Sequence, residues 1–284
     1  MAAVSSVVLA DRLNEWMVRF AVSDPERAVM CHASYTVRRL PETVGNLQPP
    51  RRGQEGSYLL DQQDAKIPFD IDVAMRRISG AVTPYPKAAM FDLADRGYRS
   101  PFQQLVACII SIRTRDEVSL PVSLRLFARA PDAPSIGALT PAEIDGLIQP
   151  ATFHERKALQ IHVIAQLVTG TFGGELPCDE DLVRSFAGVG PKCANLALGI
   201  ACGMPRISVD VHVDRVVNRW GYVDASTPEE TMRALERKLP ERYWLSINAL
   251  LVPFGKHVCT GQRPKCSVCP VLEMCRQIGV TNPR

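Results

Sequence analysis

A chain of 284 residues, 46% hydrophobic and 22% charged, has an ordinary soluble composition and can bury one large core or two moderate ones. Its net charge of +3 excludes a chain-wide field for polyanions, so any nucleic-acid surface must be local. No apolar run approaches the ~18 residues of a membrane span, and Asp11 and Arg12 break the apolar start before a signal-peptide cleavage site, so the expected location is intracellular.

Residues 1–68 read as an N-terminal extension. Leu9, Leu13, Trp16, Met17 and Phe20 recur at helical spacing, and Ser23-Asp24-Pro25-Glu26 opens a second short helix. Residues 38–56 carry Pro49-Pro50-Arg51-Arg52 and read as a flexible basic linker. From Asp70 the pattern is helix after helix, the first over 72–80. Ser100-Pro101 caps the next, and Phe102 to Ile112 is apolar enough to be central and buried. Further helices fit 116–129, 141–148, 155–169, 179–187 and 191–203, which makes six between 94 and 204. Beyond them, 211–220 is helical, and Ser226-Thr227-Pro228-Glu229 opens a helix running to Leu239 before Pro240. No stretch alternates apolar and polar residues well enough to require a sheet, so the fold class is all-α.

Phe186-Ala187-Gly188-Val189-Gly190-Pro191-Lys192 reads as two helices joined by a glycine hairpin. Gly188 and Gly190 let the backbone turn sharply and approach another molecule. Pro191 suits the first helical position. Amides at that helix start would face a phosphate. Lys192 stands on the first turn, and Asp210 follows 18 residues later as the N-cap of another helix. A nucleophilic amine must be neutral, whereas a free lysine at ~10.4 is protonated. A helix N-terminus and a desolvating cleft both favour the neutral form.

Nine cysteines in an intracellular chain are not read as a disulfide framework. Cys259, Cys266, Cys269 and Cys275 are spaced C-x6-C-x2-C-x5-C in one compact loop. Zinc more often takes two separated C-x2-C pairs, and only one such pair exists here, which favours a cubane [4Fe–4S] cluster. Lys256, Arg263 and Lys265 stand around this loop as candidate phosphate contacts. Cys31, Cys108, Cys178, Cys193 and Cys202 are expected as buried small hydrophobes.

The hairpin, the Val209-Asp210 pair and the cysteine spacing, in that order, resemble endonuclease III, the iron–sulfur branch of the helix–hairpin–helix DNA glycosylases, from about Asp70 to Cys275. The resemblance implies two helical domains flanking a DNA-binding cleft. The six-helix domain would be 94–204, and the cluster domain 69–93 plus 205–284. It implies a bifunctional DNA glycosylase/AP lyase acting, as a monomer, on double-stranded DNA with damaged bases or abasic sites, oxidised pyrimidines foremost. Lys192 would be the nucleophile and Asp210 the catalytic aspartate. Arg113 falls where the family carries a glutamine that fills the gap left by the flipped base, and Phe153 where it carries an apolar wedge. Thr152 replaces a glycine, Ala187 a proline and Val211 a threonine common in the family. Two alternatives stay open: a monofunctional glycosylase of the same fold, and a DNA-structure-binding protein without efficient catalysis.

Overall fold

Side chains that close helix ends set the element boundaries. Ser100 Oγ accepts from Gln103 N at 3.2 Å while Gln103 Oε1 accepts from Ser100 N at 3.1 Å, a reciprocal box that starts a helix after Pro101. Thr140 and Glu143 do the same before Pro141, at 3.2 and 2.7 Å. The computed structural model describes residues 66–284. The expected helices near Leu9–Phe20 and Ser23–Glu26, the basic linker 38–56 and Cys31 lie outside the described residues.

In chain order the helices are α1 (Ile71–Val82), α2 (Ala89–Asp95), α3 (Pro101–Ser111), α4 (Asp116–Arg129), α5 (Ala133–Gly137) and α6 (Pro141–Ile148). They continue with α7 (His154–Phe172), α8 (Glu180–Ser185), α9 (Pro191–Cys202), α10 (Val211–Trp220), α11 (Pro228–Lys238) and α12 (Ser246–His257). Single 3₁₀ turns cover Glu241–Tyr243 and Cys266–Val268. Among the described residues there is no strand, so the all-α class holds. The short α2, α5 and the apolar α12 are helices the sequence pattern did not single out. With α5, the interval expected to hold six helices holds seven.

The helices pack in two sets. The apolar α3 lies against α4, α7 and α9, with α5 and α6 against α7 and α2 against α3, α4 and α9. Within α3, Leu105, Val106, Ile109 and Ile110 are wholly buried, as a helix apolar on all sides requires. In the second set α12 packs on α1 and α10, and α11 packs on α10. Their common core includes Ile78, Val213, Val216, Trp220, Leu251 and Phe254. Burial of Trp220 and Phe254 alone is worth roughly 1.5–3 kcal/mol each. Gly255 permits the closest approach of α10 and α12: a Cβ there would stand 2.9 Å from His212 Cβ and 3.0 Å from Arg215 Nη2.

Candidate active site

The hairpin between α8 and α9 is built from two buried pegs and two open glycines. Phe186 and Val189 are buried, while Gly188 and Gly190 are exposed. Gly188 takes φ +79°, the left-handed region where a side chain is strained. Gln160 on α7 donates to Ala187 O at 2.5 Å and so holds the turn from behind. Gly190 is the N-cap of α9, with Pro191 in the first turn. The first amides of α9 are therefore presented at an open backbone. Lys192 follows and is exposed. The desolvating cleft expected around this amine is therefore not met in the free protein.

Asp210 is half-buried and caps α10, its Oδ1 accepting from His212 N and Val213 N, both at 2.9 Å. The segment leading to it is tied to α9. Ser208 Oγ donates to Lys192 O at 3.2 Å, and Asn195 Nδ2 donates to Ile207 O at 2.8 Å. Asn248 on α12 donates to Ser208 O at 3.3 Å. The turn bearing Lys192 and the cap bearing Asp210 are thus fastened two residues from the carboxylate. His212 is half-buried, its Nδ1 3.1 Å from Arg215 Nη2. Burial holds this imidazole below its usual range, and the Asp210 charge opposes that shift.

Arg113 and Phe153, 40 residues apart, come together: the guanidinium lies 6.0 Å from the ring centroid. Both are exposed, and both take left-handed backbone, at φ +54° and +57°. Such conformations cost non-glycine residues roughly 1–3 kcal/mol each and persist only where the surroundings hold them. Here the holder is Lys157, only 5% exposed. Its Nζ donates to Ile110 O (2.8 Å), Ile112 O (2.7 Å) and Thr114 Oγ1 (3.1 Å). Burial pushes its pKa down to about 8. Thr114 Oγ1 also accepts from Thr152 N at 3.1 Å. Lys157 was not among the candidate residues. Its signal was present: a lone charge on the buried stripe formed with Ala158, Ile161, Ile164, Ala165 and Val168.

Cys259, Cys266, Cys269 and Cys275 line one small cavity with Trp220, Val258 and Leu272. All four thiols are unbridged. Among the described residues no three metal-binding side chains converge on a single-ion site. Burial pushes the Cys269 thiol up to about 12 and that of Cys275 to about 11. Such thiols ionise only when a cation balances them. Two further donors reach the sulfurs, Arg219 Nη1 to Cys259 and Gln277 Nε2 to Cys266, each at 3.5 Å. Arg219 also donates to Thr260 O at 2.6 Å and Gly261 O at 2.5 Å. Arg215 Nη2 donates to Gly255 O at 2.9 Å and Cys259 O at 3.1 Å. These two arginines, at i and i+4 on α10, brace the loop; their helical spacing was the missed signal.

Of the basic residues expected around the loop, Arg263 is exposed and Lys265 half-buried. Lys256 lies on α12, its Nζ 2.5 Å from Glu117 Oε1 and 3.4 Å from Asp116 Oδ2 at the start of α4. Burial opposes its charge, but the two carboxylates hold its pKa above the usual lysine range. Lys256 thus ties the two helix sets together rather than standing as a free cation beside the loop.

The cysteines outside the loop divide. Cys108 and Cys193 are buried between α3 and α9, as expected of small hydrophobes. Cys178 and Cys202 are not: they form a disulfide across 24 residues, with Cys178 exposed. The expectation of no disulfides fails here because the fold returns the end of α9 to the start of α8, bringing two thiols together that spacing alone cannot pair.

A family model described as HhH-GPD superfamily base excision DNA repair protein matches residues 106–241. The endonuclease III of Thermotoga maritima is 35% identical over 175 residues, covering 62% of this chain and 82% of that protein. That of Bacillus subtilis is 32% identical over 181 residues, covering 63% and 83%. Among solved structures, a trapped endonuclease III–DNA covalent intermediate superposes with a TM-score of 0.59 at 27% identity, over 72% of this chain and 96% of that one.

Proposed function

Because the chain belongs to the endonuclease III family, within the HhH-GPD superfamily of base excision DNA repair proteins, and is a DNA glycosylase with AP-lyase activity, we propose that it excises oxidised pyrimidines from double-stranded DNA through Lys192 and Asp210. The observation that carries this reading is the 3.2 Å hydrogen bond from Ser208 to Lys192 O. It couples two helix N-termini, one bearing the amine and the other the carboxylate.

The steps follow from those two groups. The damaged nucleotide leaves the stack and closes over Lys192, removing water from the amine. Neutral Nζ attacks the deoxyribose C1′, the C1′–N bond to the base breaks, and the base departs with the electron pair. The carboxylate of Asp210, held in place by its two backbone donors, stabilises the positive charge that develops on the sugar. Nζ gives up one proton to the departing base, the C1′–O4′ bond of the resulting aminal breaks as O4′ takes a proton, and the opened sugar is left as a protonated Schiff base between Nζ and C1′. Loss of a C2′ proton then expels the 3′ oxygen and cuts the strand by β-elimination. Asp210 is within the same structural unit to accept and return protons.

The hairpin amides at Gly188 and Gly190, with Arg263 and Lys265, are the phosphate contacts in this reading, and Lys256 joins them on exchanging its carboxylate partners for the backbone. Phe153 fills the vacated stack and Arg113 meets the unpaired base. The duplex lies between the α2–α9 helices and the α1, α10–α12 set. The four cysteines fit a [4Fe–4S] cluster, since an all-thiol donor set in one cavity matches its ligands. Cys259, Cys266, Cys269 and Cys275 would hold it, and its positive core would offset part of the charge of their thiolates and cross-link the loop.

Borohydride trapping on duplexes with single defined lesions tests the assignment. Wild type gives a covalent adduct and Lys192→Ala none. An adduct that survives Lys192→Ala refutes the nucleophile, and base release with no adduct and no nick refutes the lyase steps.

A further inference from the structure

Two exposed residues in strained left-handed backbone, from loops 40 residues apart, share one buried anchor. Lys157 sits one turn into α7 after Phe153, and its ammonium spends its three protons on Ile110 O, Ile112 O and Thr114 Oγ1. The two carbonyls belong to the end of α3, where peptide dipoles leave partial negative charge. This is the segment from which Arg113 emerges. Thr114 Oγ1 closes the circuit by accepting from Thr152 N, next to Phe153. No carboxylate partner is needed, because these acceptors replace one. A lysine buried at 5% exposure with all donors used is a built joint, not a surface charge.

We infer that Lys157 is a positioning residue that locks the Arg113 and Phe153 loops into one rigid reading head, so that the wedge and the unpaired-base contact enter DNA together. This rests on the proposed roles of Arg113 and Phe153. The joint acts before chemistry. Pre-formed loops reach the duplex without an ordering cost, and that gain enters binding of the extruded state rather than attack by Lys192.

Three measurements test it. In the free protein, Lys157→Met and the milder Thr114→Ala should speed amide hydrogen exchange in peptides covering 111–116 and 151–156 together. On a lesion duplex under single-turnover conditions, Lys157→Met should raise the half-saturating enzyme concentration about tenfold, the loss of one charge-assisted joint. It should lower the saturating rate less than about threefold. Lys157→Arg, which can still donate to the carbonyls, should restore most of the affinity. In a Phe153→Ala background the Lys157→Met affinity loss should shrink to the share carried by Arg113, and in a Phe153→Ala/Arg113→Ala background it should vanish. Should Lys157→Met not fold, Thr114→Ala carries the same tests with a smaller effect. Exchange that rises in only one segment, or in neither, overturns the joint. Linked exchange with unchanged affinity, while Phe153→Ala does weaken binding, overturns the positioning role alone. Unchanged affinity in Phe153→Ala itself overturns the wedge reading and this inference with it.

Discussion

In the proposed mechanism Asp210 carries two functions in one side chain, and asparagine separates them. Its Oδ1 accepts from His212 N and Val213 N at 2.9 Å each. An amide oxygen can take both bonds, and Asn ranks with Asp at an N-cap. Asp210→Asn therefore loses only the attraction between a carboxylate and the positive end of α10, about 0.3–1 kcal/mol. For a protein of this size that lowers the unfolding midpoint by roughly 1–4 °C. Asp210→Ala removes both bonds and costs ~0.5–2 kcal/mol. Catalysis responds differently. Both variants lack the charge facing the developing cation, and each should lose about 10²–10³ in single-turnover base release. Thermal melts and single-turnover kinetics on one lesion duplex give the two readouts. If Asp210→Asn keeps its rate within about threefold, the electrostatic role is wrong. If it melts with the alanine variant well below wild type, the capping account is wrong.

Opening the Cys178–Cys202 bond, by Cys178→Ser or by reductant, frees a loop containing the whole hairpin. It should lower the unfolding free energy by roughly 3 kcal/mol in urea melts; equal melts with and without reductant would contradict it. Lys157 should titrate near 8 by side-chain NMR, against ~10.4 in an unfolded chain. The native state then binds fewer protons than the unfolded one across that window, so this group's contribution to stability rises with pH between those values. A midpoint above about 10 would contradict the desolvation argument. Gly255→Ala drives a Cβ to 2.9 Å from His212 Cβ and Nδ1, and the overpacking should cost ~1–3 kcal/mol. That outweighs the ~1 kcal/mol alanine gains in helix propensity. A variant melting at or above wild type would show that α10 and α12 can separate freely.

Helix-forming features of this chain are local, and so they are legible. Capping residues at Ser100, Thr140 and Asp210 are adjacent in sequence to the apolar periods they begin. Pro191 after Gly190 marks a helix start by rules of backbone geometry alone. The cysteine cavity is legible because all four thiols fall in one short loop. What escaped is long-range. The disulfide joins Cys178 to Cys202 only after α9 has run its course and the chain has turned back. Lys256 looked like a free cation because Glu117 lies 139 residues away. Lys157 was passed over because a lysine in a helix is ordinarily solvated. Its place on the buried stripe of α7 hints at enclosure, but only the fold shows its partners Ile110 O and Ile112 O. The short α2 and α5 give too few turns for a period to register.

α10 is ten residues long, a rod of about 15 Å. Asp210 crowns its head, and its foot stands in the C-terminal tail, where Arg276 N and Ile278 N donate to the last carbonyls, Trp220 O and Arg219 O, at 3.2 and 3.0 Å. A strut clamped this way has no independent tilt. Slackening at the base swings the tip, so on the proposed mechanism a change at Cys275, one residue before Arg276, would reach Asp210 through the axis of the helix and disturb its aim.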